Sequence, residues 1–215
     1  MKVLYDYDAF TYQKFGGVSK CLCELIKRLP DDIDYEIAIA TSNNSHLIDS
    51  CLVPDLLPYT FDIKGFLPCF DFKGKYQLYH FLSNNMPGFN SVDRLNRQMS
   101  IKALKAKAYD VFHATGFKTY SLDYIGDKPM VYTIHDMTTE LFCNSRGMAK
   151  QTEAIHKLAS RADHVITVSE NTKRDAMRLI GLPEDKITVV YHGGPNIEKN
   201  KYERTIESPY IIINN

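Results

Sequence analysis

Two adjacent glycines, Gly16 and Gly17, stand between a short apolar run and a segment with helical periodicity. At such a turn the amides of the following helix point outward, where they can bind a phosphate through hydrogen bonds and the helix dipole. Glycine suits the position because a side chain would hold the anion away from the backbone. The stretch Phe-Gly-Gly-Val-Ser-Lys is neither the dinucleotide fingerprint nor a P-loop. A tight turn without a ligand is the alternative interpretation.

Two histidines follow apolar runs that are typical of buried strands. His135 and Asp136 come directly after the predicted strand 129–134, and His113 and Thr115 end another predicted strand. A histidine there can donate a hydrogen bond to a sugar hydroxyl or a phosphate, and an acidic neighbour can fix its tautomer. We expect sugar or acceptor contacts from these side chains, with a structural histidine at a strand end as the alternative.

Ser169 lies between a predicted strand and a predicted helix, so it is first of all a good N-cap. The helix would begin at the carboxyl edge of the sheet, where its first amides face the crevice. Ser169 or Asn171 could therefore also contact a polar acceptor or sugar.

One segment carries basic residues without an acidic residue between them. Its cations are Arg94, Arg97, Lys102, Lys105 and Lys107. Such a segment can contact anionic lipid headgroups at a membrane surface. A solvated helix face is the alternative.

Composition limits the function classes. The 215 residues are 44% hydrophobic and 12% aromatic, which is enough for one large globular domain. Lys plus Arg and Asp plus Glu are 26 each, so the net charge of zero gives no footprint for nucleic acid. The five cysteines lack zinc-site spacings, so we expect no metal and reduced thiols. No signal peptide or membrane-spanning run is predicted, which favours a cytoplasmic protein that could attach to the inner face of the membrane.

Apolar runs that alternate with helical periods predict a doubly wound, mostly parallel, Rossmann-like α/β sheet. Ligands of such sheets bind beyond the carboxyl ends of the strands. The predicted strands are 3–5, 35–40, 110–113, 129–134, 164–168 and 187–191, and the predicted helices are 18–29, 92–108, 149–161 and 170–180. The prolines and scattered aromatics of residues 41–90 predict loops or an insertion.

The end of the chain changes character. We expect an N-terminal Rossmann-like domain over 1–195, a polar linker over 196–208, and over 209–215 the first strand of a second domain. An edge strand added to the first domain is the alternative for that last segment.

These motifs, in this order, resemble the N-terminal half of the family 4 glycosyltransferases. The resemblance covers most of 1–195 and is weakest over 41–90. Its motifs are Gly-Gly-Val-Ser from residue 16, Thr-Ile-His-Asp from 133, Ala-Asp-His-Val-Ile-Thr-Val-Ser-Glu-Asn-Thr from 162 and Ile-Thr-Val-Val-Tyr-His-Gly-Gly from 187.

The resemblance implies the GT-B architecture, in which two Rossmann-like domains face each other across a cleft. It implies retaining transfer of a sugar from a GDP- or UDP-sugar to a saccharide or glycolipid acceptor, without a metal or other cofactor. The N-terminal domain mainly holds the acceptor in that family. By position, Gly16 and Gly17 match the loop at the donor diphosphate, and His135 matches the catalytic histidine beside the transferred sugar.

The same resemblance places the donor-binding half, with its cationic clamp and paired glutamates, outside these residues. We therefore expect the chain alone to bind an acceptor or part of a donor weakly and to lack transferase activity. The alternatives are a non-catalytic α/β domain that binds a ligand or partner, and a GT-B sugar epimerase.

Overall fold

The computed structural model describes residues 1–57, 70–85, 91–142 and 146–193. The predicted linker 196–208 and the predicted strand 209–215 lie outside these residues. So do parts of the segment 41–90 for which loops or an insertion were predicted.

Six strands form one parallel sheet in the order β2-β1-β3-β4-β5-β6. This confirms the predicted α/β fold with a Rossmann-like parallel sheet. The strands are β1 (Lys2–Tyr5), β2 (Asp34–Ile37), β3 (Val111–Ala114), β4 (Met130–Ile134), β5 (His164–Thr167) and β6 (Ile187–Val189).

Seven helices accompany the sheet in the described part of the chain. They are α1 (Gly17–Ile26), α2 (Ser45–Ser50), α3 (Lys75–Asn85), α4 (Ser91–Ala106), α5 (Thr138–Phe142), α6 (Arg146–Arg161) and α7 (Glu170–Ile180). The predicted helices correspond to α1, α4, α6 and α7, whereas α2, α3 and α5 were not predicted. None of the described helices is both long and apolar enough to span a bilayer.

The helix α1 differs in detail from its prediction. Its buried face is Ser19, Leu22, Cys23 and Ile26, because residues three and four apart share one side of a helix. Leu25 was predicted on that face but is 42% exposed.

The strand β2 is shorter than predicted, although the chain stays buried through Ala40. The main-chain amides of Ala40 and Thr41 both donate to Oδ1 of Asn96, at 2.9 and 3.0 Å. A side chain of α4 thus accepts hydrogen bonds from two main-chain amides just beyond β2.

The order of the strands locates the crevice. Since β1 has β2 on one side and β3 on the other, the connections from β1 and β3 leave in opposite directions, which opens a crevice at their carboxyl ends. The loop after β1 runs from Asp6 to Gly16, and the loop after β3 begins at Thr115.

Candidate functional site

A cavity of about 290 Å³ opens at the carboxyl ends of β1, β3 and β4. It brings together five side chains or glycines that the sequence singled out: Gly16, Gly17, Thr115, His135 and Asp136. The predicted crevice therefore contains a cavity that both the glycine turn and the histidine line.

The glycine turn forms the start of α1 at this cavity. Gly16 is the N-cap, with extended φ and ψ of −143° and 140°, and Gly17 is the first helical residue. The first helical bond joins Lys20 N–H to the Gly16 carbonyl at 3.1 Å, so the amides before Lys20 have no acceptor within the helix. These amides are the groups that a phosphate would use.

The two glycines differ in what surrounds them. A Cβ on Gly16 would meet Gln13 Oε1 at 3.1 Å and Ser19 Oγ at 3.3 Å, whereas a Cβ on Gly17 would meet nothing within 4 Å. Neither glycine has a positive φ. The fold therefore does not itself require glycine at position 17, which leaves the open approach to the amides as its physical effect.

His135 is half-buried at the end of β4. Its ring stacks on the ring of His192, with centroids 5.6 Å apart and planes 11° apart. Burial, with a smaller contribution from His192, lowers the pKa of His135 to about 4, against the opposing effect of Asp136. At neutral pH the imidazole is thus uncharged and acts as a hydrogen-bond donor or acceptor.

His113 and Thr115 are held inside the protein. His113 Nε2 is 2.9 Å from Thr133 Oγ1 and its ring lies against Tyr5, while burial lowers its pKa to about 4. Thr115 lines the cavity, but its hydroxyl accepts from the Ala9 amide at 3.1 Å and donates to Asp6. The internal contacts of His113 match the structural alternative, and its contact with a ligand stays a prediction.

Ser169 is the N-cap of α7, as the sequence indicates. Its Oγ accepts from the Thr172 amide at 3.1 Å, and Asn171 Oδ1 accepts from Arg174. Neither Ser169 nor Asn171 lines the cavity. Their contact with an acceptor therefore also stays a prediction.

Four of the five cations of the basic segment are exposed, and Lys107 is half-buried. Arg97 and Lys105 each lie over a tyrosine ring, 5.5 and 5.2 Å from its centroid. Lys107 Nζ donates to two main-chain carbonyls. Arg94, Arg97, Lys102 and Lys105 are all exposed, and a lipid contact of the basic segment stays a prediction.

Sequence reasoning missed a pair of buried carboxylates in the loop after β1, those of Asp6 and Asp8. Asp6 Oδ1 accepts from the Thr115 amide at 3.1 Å and from the Thr115 hydroxyl. Asp8 Oδ2 accepts from the amides of Phe117 and Lys118 at 2.6 and 2.9 Å. The pair thus ties the loop after β1 to the loop after β3.

The signal for this pair was the sequence Asp-Tyr-Asp directly after an apolar strand. Carboxylates at a strand end lie near the crevice, but their partners are about 109 positions later in the chain. Burial raises the pKa of Asp6 to about 7, helped by the charge of Asp8 and opposed by the hydrogen bonds from Thr115. Burial also raises the pKa of Asp8, against Tyr12 and Lys118.

These shifts predict a pH effect on Asp6→Asn. A carboxyl whose folded pKa is raised from 3.8 to about 7 contributes stability that is present at low pH and is lost as the pH rises through the folded pKa. Since asparagine cannot ionise, we expect Asp6→Asn to be about as stable as the native chain at about pH 4 and more stable than it by about 4 kcal/mol at about pH 8, because a change of one in pKa corresponds to about 1.4 kcal/mol. Urea unfolding at both pH values measures this difference, and exposed Asp127→Asn is the matched control. Equal pH dependence of Asp6→Asn and the native chain would contradict the prediction.

In the described part of the chain, no group of three metal-ligating side chains is close enough to hold an ion. A search of curated proteins gave no match. The family model for Glycosyltransferase Family 4 matches residues 15–193. This match begins beside the glycine turn, includes His135 and ends at Gly193, so it covers most of the described fold. The chain therefore belongs to Glycosyltransferase Family 4.

Proposed function

We propose that this chain supplies the acceptor side of a retaining, metal-independent glycosyltransferase site. In that reaction a sugar moves from a nucleotide-sugar, such as a UDP- or GDP-sugar, to a saccharide or lipid-linked acceptor. The observation that supports the proposal is one cavity lined both by the N-terminus of α1 and by the neutral His135.

The N-terminus of α1 is suited to the diphosphate of the donor. Its first amides have no acceptor within the helix, and the helix dipole places a partial positive charge there. Open space around Gly17 lets a phosphate oxygen approach these amides closely. Donors at this end of the cavity stabilise the negative charge that builds on the diphosphate as its bond to the anomeric carbon breaks.

The histidine is suited to the transferred sugar. Because burial keeps His135 neutral, it can hydrogen-bond a sugar hydroxyl without adding a positive charge next to the reacting carbon. Asp136, exposed beside it, supplies a carboxylate that can accept from a second hydroxyl.

The cavity is expected to supply one side of a transferase site. No described residue that lines the cavity is lysine or arginine, and a nucleoside diphosphate leaving group normally needs cationic groups as well as amides. We therefore expect the chain alone to bind part of the donor without transferring its sugar. This would be observed as binding without release of nucleoside diphosphate.

The test uses Gly17→Ala. The added methyl group meets no protein atom, and replacing glycine in a helix adds up to about 1 kcal/mol of stability. A diphosphate on the α1 amides would, however, be pushed away. By isothermal titration calorimetry with UDP and GDP, we expect at least a tenfold loss of affinity in Gly17→Ala with an unchanged or higher melting temperature.

A second variant distinguishes the contribution of the sugar to binding from that of the phosphates. His135→Ala is expected to bind UDP like the native chain but to lose any additional affinity that a UDP-sugar has over UDP. Unchanged UDP and GDP binding in Gly17→Ala would remove the amides from the site. If neither nucleotide bound the native chain, the non-catalytic binding domain would become the better description.

A further inference from the structure

Two aromatic rings form one wall of the cavity. Tyr12 comes from the loop after β1 and Phe117 from the loop after β3, and both line the cavity. Their ring centroids are 5.7 Å apart with an interplanar angle of 29°. Tyr12 is 45% exposed, so its ring offers apolar surface that the protein leaves open.

One carboxylate holds both rings in position. The Tyr12 hydroxyl donates to Asp8 Oδ2 at 2.6 Å, and the Phe117 amide donates to that same oxygen at 2.6 Å and to the Tyr12 hydroxyl oxygen at 2.8 Å. Asp8 itself is fully buried. The wall is therefore ordered before a ligand arrives, which removes part of the entropic cost of binding.

The charges of the side chains that line the cavity limit the ligands that it can bind. Asp136 is the one ionised side chain among the described residues that line the cavity, since His135 is neutral at pH 7. The other polar side chains near it, such as Gln13, Thr139 and Gln151, are uncharged. They can hydrogen-bond hydroxyl groups in either direction, whereas Asp136 repels the carboxylate of an acidic sugar bound in the same cavity.

The volume of the cavity also limits the size of its ligand. A cavity of about 290 Å³ is just below the range of about 300–1,000 Å³ for small-molecule sites. It suits one sugar ring rather than an enclosed oligosaccharide. A pyranose ring has one face of C–H groups that packs on an aromatic ring and an edge of hydroxyls that needs neutral polar partners.

We propose that Tyr12 and Phe117 form an aromatic wall that binds the C–H face of an uncharged pyranose, and that the acceptor of this transferase ends in such a sugar. The acceptor part of this inference rests on the proposed function. An acceptor that ends in a uronic acid is disfavoured, because its carboxylate would share the cavity with Asp136.

The experiment measures sugar binding to the full chain by saturation-transfer NMR and by titration. The probes are methyl glucoside, methyl mannoside and methyl galactoside as neutral pyranosides, and glucuronate as the anionic one. We expect at least one neutral pyranoside to bind in the millimolar range, with saturation strongest on its C–H face, and glucuronate to bind at least tenfold more weakly. Phe117→Ala should weaken pyranoside binding at least tenfold, whereas Phe117→Tyr, which keeps an aromatic ring, should bind like the native chain.

Phe117→Leu retains apolar volume without a ring and should behave like Phe117→Ala, while exposed Phe70→Ala should behave like the native chain. Circular dichroism of each variant shows whether it is folded, and Phe117→Leu keeps the test decisive if Phe117→Ala does not fold. Equal binding of glucuronate, or unchanged pyranoside binding in Phe117→Leu, would overturn the aromatic wall, as would no binding of any neutral pyranoside.

The failure of this inference and that of the proposed function are distinguishable. UDP binding should depend on Gly17 and not on Phe117, whereas pyranoside binding should depend on Phe117 and not on Gly17. Loss of the first pattern alone contradicts the donor site, and loss of the second pattern alone contradicts the aromatic wall.

Discussion

Asp8→Ala is expected to lower the free energy of unfolding by about 3 kcal/mol, while Asp8→Asn should change it by less than about 1 kcal/mol. Asp8 Oδ2 accepts from the Tyr12 hydroxyl and from the amides of Phe117 and Lys118. Alanine removes that acceptor, so the Lys118 amide loses its partner inside the protein.

Asparagine retains the oxygen that accepts all three bonds. Its amide nitrogen would take the place of Oδ1, which no described donor reaches within hydrogen-bond distance and which lies 3.9 Å from Lys118 Nζ. Lys118 retains its 2.6 Å ion pair with Asp93. Because burial already raises the pKa of Asp8, replacing the carboxylate by an amide also removes the cost of burying a charge.

Urea unfolding measures the two stabilities, and amide hydrogen exchange measures the loop. In Asp8→Ala the amides of Phe117 and Lys118 should exchange faster than in Asp8→Asn, because they lose their shared acceptor. Equal stability of the alanine and asparagine variants would show that the carboxylate does not hold the two loops together.

Gly116→Ala is expected to lower the free energy of unfolding by about 2–4 kcal/mol, because a buried Cβ would overlap atoms that cannot both move away. A Cβ at this position would clash with Asp8 Oδ2 and with the hydroxyl oxygen of Tyr12. Its φ is not positive, so the requirement for glycine is steric. To avoid this clash, the chain would have to break the hydrogen bond between Tyr12 and Asp8 or displace the loop after β3.

Gly17→Ala is the matched control, since it makes the same substitution in open space. We expect Gly116→Ala to have the lower urea midpoint, with weaker pyranoside binding because Tyr12 and Phe117 lose their alignment. If both glycine variants were as stable as the native chain, the close packing of Gly116 against Asp8 would be excluded.

The accuracy with which the sequence predicts a helix depends on whether local or tertiary contacts stabilise it. The boundaries of α7 were predicted closely because a serine N-cap and a glycine with φ of 78° at the C-cap act through neighbouring residues. The five residues of α5 and the six of α2 are too few to show a helical period. They depend on the contacts that the folded chain provides.

The candidate site divides in the same way. Gly16, Gly17 and His135 could be placed at one crevice because every strand of a parallel sheet ends at the same edge. His113 could not be separated from them by sequence, since only the fold shows that its ring is buried against Tyr5 and bonded to Thr133.

By itself, the sequence determined the alternation of strands with the longer helices, the glycine turn, the histidine at the end of β4 and the resemblance to the family. Each of these depends on local periodicity or on a short motif. Only the tertiary structure decided that β1 and β3 are neighbours. That pairing brings Asp6 and Asp8 against residues about 109 positions later, and it aligns Tyr12 with Phe117 as one wall. Such contacts follow from strand order and long-range packing, which local sequence preferences do not specify.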